Sequence, residues 1–541
     1  MISRSKVFFD RSPWAKALLL LLIFWLVHAL CMSVFFRGFL GNFNAWSFGE
    51  GDSALNWILT EDPFRSVSIF FRSLLNPFFL LGLIVLYIPF YIRRKNLPVY
   101  SRTERLLFGL CAVLLTWEMV TYDYNYYLDS AFWIDRIVLI VLSVALIRYP
   151  VLTPLFVAFA LVYRAQFNFP VAGFPMYDKR LLFDLLILFC VHQYVRMLFR
   201  DFVYNAVYFA LCVVASYYFF SGTDKIFHSP HGYEWLTRND PADLFNNVVI
   251  RGWLACSDYL TVDVLRGAIM EYGEIFQAIV FILEIGVLVV FWKRKLAMFW
   301  LAGLFCMHLG ILVFGSILFW KWMAVDAALL LILAFRKNEV AAVYGNRKAI
   351  FLAIGIVVLS KLWLNPVSIS WHDTPYTQYY TYEVRDANNA WHPVDKNEMN
   401  PYHQWFQYDQ FAFLVNEKLP DVSGFGYTSD YALAEMLRRP AFDYDSVIAK
   451  KGKLYYDVRM KAGYESFISS YFQHRNERVG KELFITALSP PHHLYTEVCG
   501  DAYEGNFRVT AFRVTLKQET SVGSHHFPLR TTVIDEINIP Q

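Results

Sequence analysis

The chain has 541 residues, of which 57% are hydrophobic, 18% aromatic and only 18% charged. It is too apolar for an ordinary soluble protein and too long for one domain. A formal net charge of +3, with the basic residues spread among short segments, offers no patch for nucleic acid, so the expected first partner is the lipid bilayer.

Residues 1–16 carry Arg4, Lys6, Arg11 and Lys16, and about twenty apolar residues follow up to Phe36. The run is long, lacks a small-x-small cleavage site and precedes many more apolar stretches, which predicts an uncleaved first helix. A polar loop over residues 37–65 comes next. Further apolar runs near 66–92, 105–122, 129–148, 151–171, 181–199, 203–221, 272–292, 296–316, 318–335 and 349–366 bring the expectation to about eleven spans. Placing the N-terminus in the cytoplasm puts Arg93-Arg94-Lys95, Arg148, Arg196, Arg200, Lys293-Arg294-Lys295, Arg336-Lys337 and Arg347-Lys348 on one side, as the positive-inside rule requires. The loops 123–128, 172–180 and 222–271 then lie outside, in a periplasm-like compartment, with everything after Pro366.

Beyond Ser368 the long apolar runs stop. Alternating stretches such as 379–384, 453–458, 507–514 and 530–534 predict strands, and 429–438 and 463–475 predict helices. The expected architecture is a polytopic α-helical membrane bundle over residues 1–366, followed by an extracytoplasmic β-rich α+β domain over residues 367–541. Five of the seven cysteines fall in apolar runs; Cys256 and Cys499 do not, which leaves one disulfide open.

Chemistry is expected where polar residues enter apolar runs. The stretch Tyr217–Phe227 ends a long apolar run in what reads as a small-residue turn carrying Lys225. At the edge of a low-dielectric slab a lysine either snorkels to the headgroups or loses its proton readily enough to act as a base. Glu118, Asp135, Arg136, Arg164 and His308 come out at mid-membrane depth, with Glu284 and Asp326 slightly lower. These are either buried ion pairs, such as Glu118 with Arg136 or Arg164, or the lining of a polar cavity for a substrate or cofactor head group. Glu274, Gln277, Phe281 and Glu284 fall within roughly 80° of one another on one helix, a polar stripe that the next helix meets with His308. The pairs His228/His231, His492/His493 and His525/His526 lack a third ligand at suitable spacing, so no metal is expected. There is no Walker loop, no GxGxxG and no GxSxG.

The segment Ser221-Gly222-Thr223-Asp224-Lys225-Ile226, with Trp235 ten residues on, then a helix bearing Glu284, a basic turn and a helix bearing His308, resembles the HTTM family. These are bacterial relatives of vitamin K-dependent gamma-glutamyl carboxylase, and the resemblance covers mainly residues 105–335. Ile226 and the longer interval to Trp235 depart from the tighter carboxylase spacing. The resemblance implies a catalytic lysine, here Lys225, assisted by His308 and Glu284. It implies a reduced, vitamin K-like quinone as cosubstrate and a secreted peptide, protein or lipid-linked substrate. Gly222, Gln277, Glu274, Glu118, Arg164 and Trp235 would then serve binding. Two other readings stay open: a non-enzymatic membrane-anchored binding or assembly protein, and a DoxX-like membrane redox component, which shares a comparable Gly-x-x-Lys helix end.

Overall fold

The computed structural model describes residues 65–92, 100–167, 180–198, 205–257, 259–340, 347–362, 371–439, 442–496, 500–523 and 525–540, with Leu22, Tyr344, Leu364, Pro366 and Val498 singly. The expected first helix, the loop before residue 65, the Arg93-Arg94-Lys95 cluster and Cys499 lie outside the described residues. Apolar runs fold as helices: α1 (Arg65–Ser73), α2 (Pro77–Ile92), α3 (Arg102–Val120), α4 (Trp133–Arg148), α5 (Thr153–Ala165), α6 (Arg180–Leu198) and α7 (Ala206–Phe227). After a short α8 (Glu234–Thr237) come α9 (Pro241–Ile250), α10 (Tyr259–Ile285), α11 (Arg294–Gly315), α12 (Trp320–Phe335) and α13 (Arg347–Val358).

Among the described residues three stretches are long and apolar enough to cross a membrane: Ala206–Phe227, Thr261–Phe291 and Arg294–Gly315. The outer faces support that environment. Leu81, Ile84, Val85 and Ile88 of α2, Ile137, Val141 and Val144 of α4, Ile275, Ile279 and Ile282 of α10 and Phe299 of α11 are exposed, while Asp135, Arg136, Asp184, Glu284, His308 and Asp326 are buried. Apolar outside and charged inside reverses the soluble pattern, and it suits a bundle solvated by lipid.

Two expectations are corrected. The run 66–92 is not one span. It breaks after Ser73, Asn76 accepts a hydrogen bond from the Phe79 amide at 3.4 Å, and Pro77 opens α2, where its missing N–H costs nothing. The small-residue segment around Gly222 is not a turn either, because α7 continues to Phe227.

The C-terminal region is built on an antiparallel sheet of β1 (Tyr376–Arg385), β2 (Trp391–Pro393), β3 (Ala511–Val522) and β4 (His525–Asn538), in the order β2-β1-β3-β4. Register runs from Tyr376 opposite Thr520 to Arg385 opposite Ala511. Tyr380, Tyr382, Val384, Phe512, Val514 and Leu516 are buried, and α14 (Val458–Asn476) covers them with Phe467, Tyr471 and Phe472. Phe472 and Phe512 rings lie 5.3 Å apart. The predicted strand 453–458 shrinks to Lys453–Leu454, because the Asp457 carboxylate accepts from the Arg459 and Met460 amides and so caps α14.

This region is stitched to the helices by long-range contacts. The Trp117 indole donates to Leu488 O at 2.6 Å, the Leu318 amide to His493 O at 2.8 Å and the Tyr495 amide to Ser316 O at 3.0 Å. His474 Nδ1 lies 2.7 Å from Tyr126 O. Cys256 is disulfide-bonded, with its partner outside the described residues.

A buried ionic knot completes the junction. Asp409 meets Arg251 Nη2 at 2.5 Å and Lys396 Nζ at 2.7 Å, and the Arg251 guanidinium lies 3.9 Å over the Phe425 ring. Burial brings the Lys396 ammonium down to about 8, against the opposing pull of Asp409. Asp409→Ala strands two buried cations and is expected to cost about 3–5 kcal/mol. Thermal unfolding of the detergent-solubilised protein measures this, and an unchanged transition would mean that the knot does not hold the two parts together.

Candidate functional site

α7 is buried on nearly every side, so the polar groups it carries must find partners inside the protein. Asn205 caps its start by accepting from the Tyr208 amide at 3.1 Å. Near its other end Gly222 earns its place by close approach. A Cβ there would lie 2.7 Å from Ile285 Cγ1, 3.0 Å from Glu284 Cβ and 3.0 Å from the Ile285 backbone nitrogen. The glycine therefore lets α7 and α10 touch, and that contact brings Glu284 to the polar face of α7.

Ser221 and Lys225, one turn apart on that face, converge on Glu284. Lys225 Nζ is 2.6 Å from Glu284 Oε2, and Ser221 Oγ donates to Glu284 Oε1 at 3.0 Å. Lys225 is only 4% exposed, so it does not snorkel. The Trp235 ring covers it, with Nζ 4.8 Å from the centroid, and Phe281 stacks on that ring at 6.4 Å. Gln277 Nε2 donates to Trp235 O, while Gln277 Oε1 is buried with no hydrogen-bond partner among the described residues. Trp235 is tied in turn to the C-terminal region, its indole donating to Trp371 O at 3.0 Å. Asp224, next in sequence to Lys225, points elsewhere and pairs with Lys361 at 2.7 Å. Successive helical positions diverge by about 100°, so the two neighbours meet different surroundings.

Lys225, Glu284, Gly222, Gln277 and Trp235 are thus brought together, and four other expected site residues are not. Glu274 is exposed: it lies at the edge of the stripe, about 60° from Gln277 and 80° from Glu284, and α10 turns it away from α7. His308 does not meet Glu284. Its Nε2 lies 2.7 Å from Tyr218 Oη, and the same hydroxyl donates to Asp326 Oδ2 at 2.6 Å. Glu118 pairs with Lys321 of α12 at 2.8 Å. Arg136 instead donates to the carbonyls of Val120, Tyr122, Asp123 and Ala131, where a cation offsets the unpaired carbonyls that end α3. Arg164 is buried on α5, which packs on α1, α4 and α6, away from Lys225.

Sequence reasoning missed Tyr218 as a site residue, because one more tyrosine in an apolar run carries no signal. It also missed a buried pair two residues on from Trp371, in which Asp373 and Asn239 bond reciprocally: Asn239 Nδ2 donates to Asp373 Oδ2 at 2.7 Å, and the Asp373 amide donates to Asn239 Oδ1 at 2.6 Å. Burial pushes the Asp373 carboxyl up to about 7.

Among the described residues no group of three His, Cys, Asp or Glu side chains could hold a metal ion. His231 instead pairs with Glu234, and His228 Nδ1 lies 2.9 Å from Asp224 O. No family model, curated protein or solved structure matches the chain.

Two measurements probe this site. In Gly222→Ala the new methyl meets backbone as well as side chain, so the helices must part, at an expected cost of about 1–3 kcal/mol; a denaturation curve matching the wild type would contradict the close approach. Asp373 holds its proton to about pH 7 when folded but to only about 4 when unfolded, so the folded state binds the extra proton between these values. Its contribution to stability is complete below about pH 4 and is lost as pH rises through about 7. Melting temperatures across that range should fall more steeply for the wild type than for Asp373→Asn.

Proposed function

We propose that the protein is a multi-pass membrane enzyme in which Lys225 is the base and Glu284 its proton partner, in the manner that the resemblance to the HTTM and gamma-glutamyl carboxylase proteins implies. In this reading about eleven spans place the N-terminus in the cytoplasm and the C-terminal domain outside. The site then opens to the outer face, where a secreted peptide or lipid-linked substrate is carboxylated.

The observation that carries the proposal is the Lys225–Glu284 pair, buried under Trp235 and cleared of Asp224 by Lys361. An ammonium is not a base. In a buried pair, however, passing one proton to the carboxylate gives an amine and a carboxylic acid, with no net charge to desolvate. Lys225 as the amine could then take a hydroxyl proton, with Glu284 holding the first one and Ser221 orienting it.

A reduced quinone would supply, on oxygenation, a base stronger than any side chain. At Gly222 the α7–α10 contact closes one approach, so such a ring would reach Lys225 from the Trp235 side. There Lys225 and the unpartnered Gln277 Oε1 fit a hydroxyl, and Trp235 fits an aromatic face. Trp235 and Phe281 would shield the amine from water.

A second reading, a membrane-anchored assembly protein, is favoured by the stitching of the C-terminal region to Trp117, Ser316 and Trp235. In that case the Lys225–Glu284 pair only holds α7 against α10.

The test is mass spectrometry of secreted proteins and lipids from cells expressing the wild type, Lys225→Ala or no protein. The proposal expects an added carbon dioxide with the wild type that falls at least about a hundredfold in the variant. An adduct unaffected by Lys225→Ala, or none with the wild type, would overturn it. Proteolysis of intact cells checks the topology by reaching the C-terminal domain from outside.

A further inference from the structure

About two turns along α7 from Lys225, a second polar cluster joins three helices and is used by none of the steps above. Tyr218 of α7, His308 of α11 and Asp326 of α12 are each at most 5% exposed. Their contacts form a single line, Asp326 Oδ2 to Tyr218 Oη at 2.6 Å and Tyr218 Oη to His308 Nε2 at 2.7 Å. A phenol has one proton to donate and lone pairs to accept another, so it cannot donate to both neighbours at once. One neighbour must donate to it, and the line holds a proton that can sit at either end.

Both ends are open. His308 Nδ1 and Asp326 Oδ1 are buried and have no hydrogen-bond partner among the described residues. The His308 end abuts a small crevice. The ring lies 5.0 Å from Phe319 and 6.3 Å from Trp322, which line that crevice together with Trp320, Lys321 and His493 of the C-terminal region. The Asp326 end is fully buried. The line therefore has a fully buried end and an end beside a crevice lined by His493 and by Lys321, whose charge is answered by Glu118.

We propose that Asp326, Tyr218 and His308 form a proton relay between the interior of the bundle and the crevice at His493. When Asp326 is protonated, its proton passes to Tyr218 Oη as Tyr218 passes its own to His308 Nε2. Asp326 becomes a carboxylate, His308 an imidazolium, and Tyr218 is unchanged. The imidazolium then releases its Nδ1 proton toward the crevice. That leaves the Nε2–H tautomer donating to Tyr218 and Tyr218 donating to Asp326. Proton uptake at Nδ1 runs the same sequence backwards, so no ring rotation is needed. The relay stands on this geometry whatever Lys225 does.

The test uses the full-length protein in lipid nanodiscs and needs no substrate. Infrared spectra taken from about pH 5 to 9 should show a protonated carboxyl band that disappears in Asp326→Asn. On transfer to D2O that band shifts as its proton exchanges, and in Tyr218→Phe, which keeps the ring and removes the hydroxyl, the exchange should slow at least about tenfold. Removing a purely structural tyrosine hydroxyl would lower the melting temperature and leave the exchange as fast or faster, because looser packing admits water. If Tyr218→Phe does not assemble, His308→Gln, which keeps a polar partner but cannot pass a proton through, must slow the exchange in the same way. No band assignable to Asp326, or an exchange rate unchanged in a folded variant, would overturn the relay. Lys225→Ala should leave the rate as it is, which separates this result from the fate of the proposed function.

Discussion

The 2.6 Å contact between Lys225 and Glu284 joins α7 to α10 where neither charge has water to turn to. Taking either out of water alone would cost several kcal/mol, so the contact fixes both the separation and the rotation of the two helices. The rest of the helical region obeys the same constraint. Glu118 is answered by Lys321, Asp224 by Lys361, and Asp135 by the amides of Ser66 and Val67 at 2.6 and 2.8 Å. Each partner comes from another segment of the chain, so these pairs fix which helices lie side by side.

α7 has two kinds of neighbour. Toward α10 it offers small residues, and the gap closes to backbone contact at Gly222. Toward α11, α12 and α6 it offers tyrosines: Tyr218 reaches His308 and Asp326, and Tyr217 reaches Asp184 of α6 at 2.5 Å. Small residues give proximity and large amphipathic ones give reach. Along one helix the chain thus separates a tightly closed ion pair from a hydroxyl line with open ends.

Much of this could be read from the sequence, and the reasons for the rest are physical. Apolar runs mark the helices well, because burial in lipid demands length and hydropathy together. Where the runs start and stop is less legible: Pro77 splits one, and α7 runs through Ser221-Gly222 because tertiary contact outweighs the poor helix propensity of those residues. The stripe on α10 put Gln277 and Glu284 on one face, and both are buried there, since rotation about a helix is fixed by spacing. It over-reached to Glu274, since spacing does not say where the neighbouring helix ends its coverage. Partner choice was the least legible. Whether Glu118 meets Arg164 or Lys321 depends on which helices touch, and no local pattern encodes that. In the C-terminal region alternation located β1 and β4, while a capping aspartate at 457 converted an expected strand into the start of α14.

The contacts of Trp117 with Leu488, of Ser316 with Tyr495 and of Tyr126 with His474 span up to 371 residues of chain. Such pairings set an order of events in synthesis. The helical bundle must take shape while the groups that will receive the last hundred residues are still unmet, because those residues have not yet been made. Trp235, which lies over Lys225, is itself held by Trp371 O, so its backing also comes from residues made after the helices. The cover over Lys225 is thus completed by residues that follow the helices beneath it in the chain.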